Sequence, residues 1–146
     1  MSSTPTSTSD VSGSPSVIDA LSWVHIENGR LLCVRSRNRD RLYLPGGKRE
    51  PGESDEAAVA RETREEVSVS LRPGTFERIA EIDQVAHDQP EGTRVRLICF
   101  TAEYDGEIAA DNEVGELAWV GYADRALCAP AVRDLVDLLH ERGLVT

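Results

Sequence analysis

The stretch Gly46–Val69, GGKREPGESDEAAVARETREEVSV, joins a turn-rich segment directly to a run of strong helix formers. Glycines and prolines punctuate residues 45–53, which predicts a loop there rather than regular structure. Ser54 is a good N-cap, acidic residues follow it, and no glycine or proline occurs before Ser68. Because these are the start signals of a helix, we predict one from Ser54 to about Val67.

Three glutamates of this helix share one face, since Glu65 and Glu66 follow Glu62 by three and four residues. Like charges at such spacing repel each other by roughly a few tenths of a kcal/mol per pair. A divalent cation would turn this repulsion into a net attraction, because clustered carboxylate oxygens are the ligands that Mg²⁺ and Mn²⁺ prefer. The alternative is a solvated face on which Arg61 pairs with Glu65. Taken alone, the helix favours the solvated face.

The loop ahead of the helix changes this balance. Gly46 and Gly47 allow close approach of the backbone, so that they can offer a carbonyl or amides to a metal–phosphate group. Glu53 ends the loop eight residues before Arg61, and that arginine can pair with the carboxylate and orient it. Loop and helix together therefore predict an acidic site.

Outside this segment, the apolar pattern predicts several strands and a second helix. The predicted strands are Val17–Ile26, Arg30–Arg35, Leu42–Leu44, Phe76–Ala86, Arg94–Tyr104 and Glu116–Val120. Asn28-Gly29 is a strong hairpin signal between the first two strands, and Pro130–Arg142 reads as an amphipathic helix. In the first helix, Val59, Thr63 and Val67 form a face that can pack on a sheet. This order predicts the α/β (α+β) class, with a mixed sheet between helices.

The N-terminal segment Met1–Ser16 consists mostly of serine and threonine. Such a segment has too little apolar surface to offset the entropy lost on ordering, so we predict a disordered tail and a single domain over residues 17–146. No apolar region follows Met1 as in a signal peptide, and no apolar run is long enough to span a membrane. We therefore expect a soluble cytoplasmic protein.

The formal net charge of −10 argues against non-specific binding to nucleic acid, because such binding needs a basic face. It does not exclude a small phosphorylated ligand held through a metal ion. The three cysteines, Cys33, Cys99 and Cys128, form no C-x-x-C pair. We expect free buried thiols, and the three histidines show no zinc-ligand spacing with them.

The segment quoted above resembles the Nudix box. The box pattern, G-x5-E-x7-R-E-U-x-E-E-x-G-U with U an aliphatic residue, is matched here by Gly47-x5-Glu53-x7-Arg61-Glu62-Thr63-x-Glu65-Glu66-x-Ser68-Val69. Every position from Gly47 to Glu66 that demands glycine, glutamate or arginine is met at the right spacing. The order of predicted elements is also similar over residues 17–142. The resemblance therefore implies a Nudix-type α/β/α sandwich.

Two positions depart from the pattern. Thr63 replaces an aliphatic residue; it is close to valine in shape, and its hydroxyl is expected to bond back to the helix backbone. Ser68 replaces the glycine that usually ends the helix, at a cost of about 1 kcal/mol if it adopts a positive φ. Neither change removes a metal ligand, so both bear on local stability rather than on chemistry.

The resemblance implies a site that binds Mg²⁺, with Mn²⁺ as a substitute. The implied ligands are Glu62, Glu65, Glu66 and the Gly46 carbonyl. Such an ion neutralises charge on phosphate oxygens and orients the attacking water in phosphoanhydride hydrolysis. Glu53 and Arg61 are then orienting partners in the same catalytic site.

Nudix enzymes take the general base from the box or from a later loop. In the acidic loop before the last predicted strand, Glu113 is the first candidate and Glu116 the second, and a solvated acidic loop is the alternative. Among the arginines just ahead of the box, Arg35 is the favoured contact for substrate phosphates, together with Gly47 and Lys48.

Substrate identity depends on residues outside the box. Subgroups that act on ADP-ribose or dinucleoside polyphosphates carry a proline or tyrosine in the window occupied here by Gln84–His87, which has neither. By elimination the chain resembles the MutT-like nucleoside triphosphate pyrophosphohydrolases, and we expect a monomer or homodimer with a small nucleotide-like substrate. Trp119 and Tyr122 can stack on a base, although we expect Trp119 to pack in the core.

Two other functions are open. A non-catalytic nucleotide-sensing module of the same fold would bind without turnover, although such a module has no need for every catalytic carboxylate. An isomerase-like member of the superfamily would need extra elements to enclose an isoprenoid, which this chain lacks.

Overall fold

The computed structural model describes residues 16–87 and 89–146, which form sheets packed between two helices. The strands are β1 (Val17–Trp23), β2 (Ile26–Glu27), β3 (Arg30–Ser36), β4 (Gly46–Lys48), β5 (Ser70–Leu71), β6 (Glu77–Val85), β7 (Arg94–Thr101), β8 (Tyr104–Asp105) and β9 (Val114–Val120). The helices are α1 (Asp55–Val67), α2 (Pro130–Glu141) and a short 3₁₀ helix (Tyr122–Leu127). The predicted α/β (α+β) class is confirmed. The predicted tail, Met1–Ser16, lies outside the described residues except for Ser16.

The predicted mixed sheet is present, and a second three-stranded sheet and a two-stranded ribbon accompany it. The larger sheet has the strand order β4-β1-β7-β6, and within it β1 and β7 are parallel while the other pairs are antiparallel. β2, β3 and β9 form an antiparallel sheet, and β5 pairs with β8. The predicted hairpin joins β2 to β3, with both Asn28 and Gly29 at positive φ, as a tight two-residue turn requires.

Side chains of the sheets alternate between two apolar cores, one beneath each helix. Along β3, Leu32 and Val34 join the core under α1, whereas Leu31 and Cys33 join the core under α2. This alternation places α1 and α2 on opposite faces and produces the predicted sandwich.

Helix α1 begins at the predicted N-cap and buries the predicted face. The Ser54 hydroxyl accepts a hydrogen bond from the Ala57 amide at 3.1 Å, and Val59, Thr63 and Val67 are completely buried. The Thr63 hydroxyl does not bond back to the backbone as predicted. It is buried without a partner among the described residues.

The C-terminal end of α1 carries the strain that the sequence predicts. Ser68 adopts a φ of 72°, a left-handed conformation that glycine reaches more easily. Its amide donates to the Arg64 carbonyl at 3.2 Å, and its hydroxyl donates to the Ala109 carbonyl at 2.9 Å. These bonds offset part of the cost of the strained backbone.

Residues 45–53 are not entirely a loop, which corrects our prediction. β4 lies at the edge of the larger sheet and pairs with β1, where Gly47 is opposite Leu21. A Cβ on Gly46 would overlap the Leu21 carbonyl oxygen, so the glycine allows a strand to form this close to β1. Leu42–Leu44, which we predicted to be a strand, makes only isolated bridges to β3 and to Cys128, which follows the 3₁₀ helix.

Trp119 does not pack in the core, contrary to our expectation. The residue is 40% exposed, and its ring meets that of His25 at an angle, with centroids 6.0 Å apart. Trp23 fills the core under α1 and is completely buried. Of these two tryptophans, Trp23 is the one that contributes to the core.

The three cysteines are buried and free, as predicted. Over the part of the chain that the structure describes, no helix is long and apolar enough to cross a membrane.

Candidate active site

Arg61 attaches the end of the loop to helix α1. Its Nε and Nη2 atoms donate to the two carboxylate oxygens of Glu53 at 2.7 and 2.9 Å, and the Glu50 amide donates to the same carboxylate at 2.7 Å. The Arg61 guanidinium lowers the pKa of Glu53 to about 2. Arg61 also donates to the Lys48 carbonyl at 3.2 Å. The predicted pair is thus present, and it joins β4, the loop and the helix.

Glu62 lies against the glycine turn. Its side chain is only 18% exposed, and a Cβ on Gly47 would overlap its Oε2 atom. Burial raises the pKa of Glu62 to about 7, although the Arg61 guanidinium, 3.5 Å away, acts in the opposite direction. The close approach predicted at Gly47 therefore brings the backbone against a carboxylate.

Glu66 is the second partly buried carboxylate of the site. The Gly46 amide donates to its Oε1 atom at 3.1 Å. Burial raises the pKa of Glu66 to about 8, and the negative charges of Glu62, Glu65 and Glu113 add to the rise. Two partly buried carboxylates thus lie beside β4.

Glu65 occupies the exposed side of this cluster. Its side chain is half exposed, and the Arg61 Nη1 atom lies 3.4 Å from it. For this residue the alternative interpretation, a solvated helix face on which Arg61 pairs with Glu65, agrees with the structure. It does not describe Glu62 and Glu66, whose side chains turn toward the two glycines.

A cleft of about 350 Å³ opens beside the cluster. Part of its lining is polar and includes β4, Glu66 and Glu113. Another part is apolar and includes Val95, Leu97 and the Tyr43 side chain. The cleft therefore suits a ligand that combines a charged group with a flat or apolar one.

Of the two cations that we predicted to contact substrate phosphates, Lys48 lines the cleft and Arg35 does not. Arg35 is paired across β3 and β9 with Glu116, and its Nε atom donates to that carboxylate at 2.7 Å; it is not among the residues that line the cleft. Lys48 and Arg39 do line it. Arg39 donates to the Tyr43 hydroxyl at 2.7 Å and lies over that ring. The alternating arginines look alike in sequence, and only this packing distinguishes Arg39.

The acidic cluster has the chemistry of a divalent-cation site without a preformed cage. Within residues 16–87 and 89–146, no three acidic, histidine or cysteine side chains converge on one point as metal ligands. Burial raises the pKa values of Glu62 and Glu66, and the neighbouring carboxylates add to the rise; a hard cation bound by oxygen would favour the ionised form of both groups. The exposed Glu65 side chain has room to rotate toward such an ion. The donor set therefore fits Mg²⁺ or Mn²⁺.

Solved structures with the same fold include several bacterial and archaeal proteins. The E. coli ORF135 protein is 25% identical, with a TM-score of 0.67 over 88% of this chain and 92% of its own. The MutT protein from Bacillus halodurans is 26% identical, with a TM-score of 0.65 over 84% and 82%. The MutT protein from Methanosarcina mazei Go1 is 22% identical, with a TM-score of 0.69 over 88% and 96%. No curated protein matches the chain significantly.

The family comparison covers most of the chain. The model of the NUDIX domain matches residues 16–140, a range that contains the glycine turn, the acidic helix and the cleft. Members of this family generally use divalent cations and act on small nucleotide substrates. Hydrolases of this family cleave substrates that contain a diphosphate linked to a nucleoside. The chain therefore belongs to the NUDIX family and is a Nudix hydrolase, similar in structure to a MutT protein.

Proposed function

We propose that this enzyme hydrolyses a phosphoanhydride linkage in a nucleoside di- or triphosphate, or in a nucleoside diphosphate derivative, in a reaction that depends on Mg²⁺ or Mn²⁺. One observation carries the proposal. Glu62 and Glu66 are held against Gly46 and Gly47, and β4 and Glu66 line a cleft of about 350 Å³. Carboxylates in this position recruit the cation that a polyanionic substrate requires.

Metal binding in this proposal belongs to the cluster on α1. The residues that would hold the ion are Glu62, Glu65, Glu66 and Gly46, the last through its carbonyl. When bound, the ion neutralises charge on the non-bridging and leaving oxygens of the phosphates. Glu53 and Arg61 keep the loop in place, so that β4 stays beside the carboxylates.

Proton removal from the attacking water is assigned to Glu113. This residue lines the cleft together with Glu66, whereas the second candidate, Glu116, is engaged with Arg35. A carboxylate that accepts a proton must face the reaction space, which favours Glu113. We assign Lys48 and Arg39 to the substrate phosphates and remove Arg35 from that role.

Nucleoside triphosphates are the substrates that we favour. Two of the similar structures are MutT proteins, and Gln84–His87 lacks the proline or tyrosine of the other subgroups. The apolar part of the cleft beside Tyr43 is then the place for the base, since ring faces pack well on aromatic and aliphatic side chains.

A substrate panel tests the proposal. The purified protein is incubated with nucleoside triphosphates, nucleoside diphosphates and diphosphate-linked nucleosides in Mg²⁺, Mn²⁺ or EDTA, and released phosphate and pyrophosphate are measured. We expect turnover with a divalent cation and none in EDTA. Tight nucleotide binding without turnover would instead indicate the sensing module and would overturn the proposal.

A further inference from the structure

The backbone carbonyls at the C-terminal end of α1 all have partners, although a helix leaves its last four without any of its own. The Ser68 amide binds the Arg64 carbonyl at 3.2 Å. The other three accept hydrogen bonds from the segment 109–112: Ala109 N to Val67 O at 3.0 Å, Asp111 N to Glu66 O at 3.0 Å, and Asn112 Nδ2 to Glu65 O at 2.6 Å. A distant part of the chain therefore caps the helix that carries the acidic cluster.

The next residue in this segment is Glu113, which lines the cleft. Its carbonyl accepts a hydrogen bond from the Arg37 amide at 3.1 Å, and a turn closed by the Val114 amide and the Asp111 carbonyl leads into β9. Glu113 thus follows directly on the residues that cap α1. Its distance from the cluster depends on how firmly that cap is held.

Among the three capping bonds, the one from Asn112 comes from a side chain. The bonds from Ala109 and Asp111 use backbone amides, which almost any substitution leaves in place. Asn112 also has a φ of 54°, a conformation that asparagine tolerates better than most residues. Asparagine therefore both tolerates this backbone conformation and supplies the hydrogen-bond donor.

We propose that Asn112 is a positioning residue, which holds Glu113 against the acidic cluster by donating its side-chain amide to the Glu65 carbonyl. The inference rests on the proposed function for its effect on turnover, but the hydrogen bond itself can be tested without substrate. Because helix C-termini carry partial negative charge, an amide donor is favoured there and a carboxylate is not.

Two substitutions separate the roles of this residue. Asn112→Gly keeps the left-handed backbone accessible and removes the donor. Asn112→Asp keeps the shape of the side chain but replaces the amide donor by a carboxylate, which only accepts hydrogen bonds and is repelled by the Glu65 carbonyl. We expect both variants to lower kcat by about tenfold to a hundredfold with KM changed by less than about twofold, because small displacements of a catalytic group have effects of this size.

A double-mutant cycle with Glu113→Gln distinguishes positioning from a general structural effect. If Asn112 acts through Glu113, Asn112→Gly has little further effect on kcat once the carboxylate is gone. Asn28→Gly is a matched control, since Asn28 also has a positive φ of 53° but lies in the β2–β3 turn; its kcat should equal that of the wild type. A full additional loss in the Glu113→Gln background would overturn the proposal.

Amide hydrogen exchange provides the readout that does not need turnover. In Asn112→Gly, the Asp111 and Arg37 amides should exchange at least about tenfold faster than in the wild type, because the segment opens locally more often. Exchange at wild-type rates would show that the side chain does not hold the segment, and would overturn the proposal. If the wild type turns over no nucleotide while exchange changes as expected, the proposed function fails and the positioning of the segment stands.

Discussion

Gly46 and Gly47 are neighbours in the chain, but each is required for a different reason. A Cβ on Gly46 would meet the backbone of β1, whereas a Cβ on Gly47 would meet only the end of the Glu62 side chain. Backbone cannot move without disturbing the sheet, while a side chain can turn away. At the scale of single residues, Gly46 therefore allows β4 to pair with β1, and Gly47 leaves room for the Glu62 carboxylate.

We predict that Gly47→Ala lowers kcat by at least about tenfold, because it displaces a carboxylate that must be placed accurately, while the thermal unfolding midpoint changes little. Gly46→Ala should instead lower the unfolding midpoint. Steady-state kinetics and circular dichroism melts measure the two effects. The distinction would be refuted by a Gly47→Ala protein that retains full activity.

Thr63 is the residue at which the fold tolerates an unfavourable group. Its hydroxyl is buried without a partner among the described residues, and valine has nearly the same shape. We predict that Thr63→Val raises the free energy of unfolding by about 1 kcal/mol, because the desolvated hydroxyl is removed. Thr63→Ser is the control: it keeps the hydroxyl, loses a methyl group and should destabilise by about 1 kcal/mol. Urea unfolding measures both, and a destabilised Thr63→Val would contradict the explanation.

At the scale of elements, the Glu53–Arg61 pair connects the loop to α1. Because the pKa of Glu53 is about 2, below its ordinary value of 4.5, the pair contributes to stability above about pH 4.5 and the contribution disappears as the pH falls toward 2. We predict that Glu53→Gln is less stable than the wild type at pH 7 and that the difference vanishes near pH 2. Urea unfolding in EDTA at several pH values measures this, with Glu56→Gln as an exposed control. A difference that does not depend on pH would show that the charge is unimportant.

The C-terminal end of α1 is the second element where a prediction applies. Ser68→Gly should raise the free energy of unfolding by up to about 1 kcal/mol, since glycine adopts a positive φ without strain. The loss of the hydrogen bond to the Ala109 carbonyl reduces this gain. Ser68→Ala removes the same bond and keeps the strain, so it should destabilise. Equal stabilities of the glycine and alanine variants would show that the backbone is not strained.

At the scale of the whole molecule, cation binding and folding are linked, because an ion that binds only the folded protein stabilises it. We predict that Mg²⁺ at a hundredfold excess over its Kd stabilises the wild type by about 2.7 kcal/mol. Glu66→Gln should keep the wild-type circular dichroism spectrum, lose most of this stabilisation and lower kcat by about a hundredfold or more. Thermal melts with and without Mg²⁺ measure the effect. Glu116→Gln is the control, and full activity of Glu66→Gln would remove that residue from the site.

Local signals in the sequence were sufficient for much of this molecule. Ser54 as an N-cap, the buried face of Val59 and Val67, the Asn28-Gly29 hairpin and α2 all appear where the patterns predict them, because capping, turn chemistry and periodicity act over a few residues. The spacing from Gly47 to Glu66 is equally local, and it predicted both the family and the acidic cluster.

Other features depend on which distant segments meet. β4 is a strand because β1 lies beside it, and Arg35 leaves the cleft because β9 brings Glu116 opposite it. Trp119 is exposed, whereas Trp23 is buried in the core. The cap of α1 by Asn112 joins residues 47 positions apart, a distance at which no local pattern carries information. The sequence by itself thus determined the elements and the chemistry of the box, while the tertiary structure decided the edges of the sheets, the partners of the charged side chains and the lining of the cleft, since these follow from packing between segments that the chain separates.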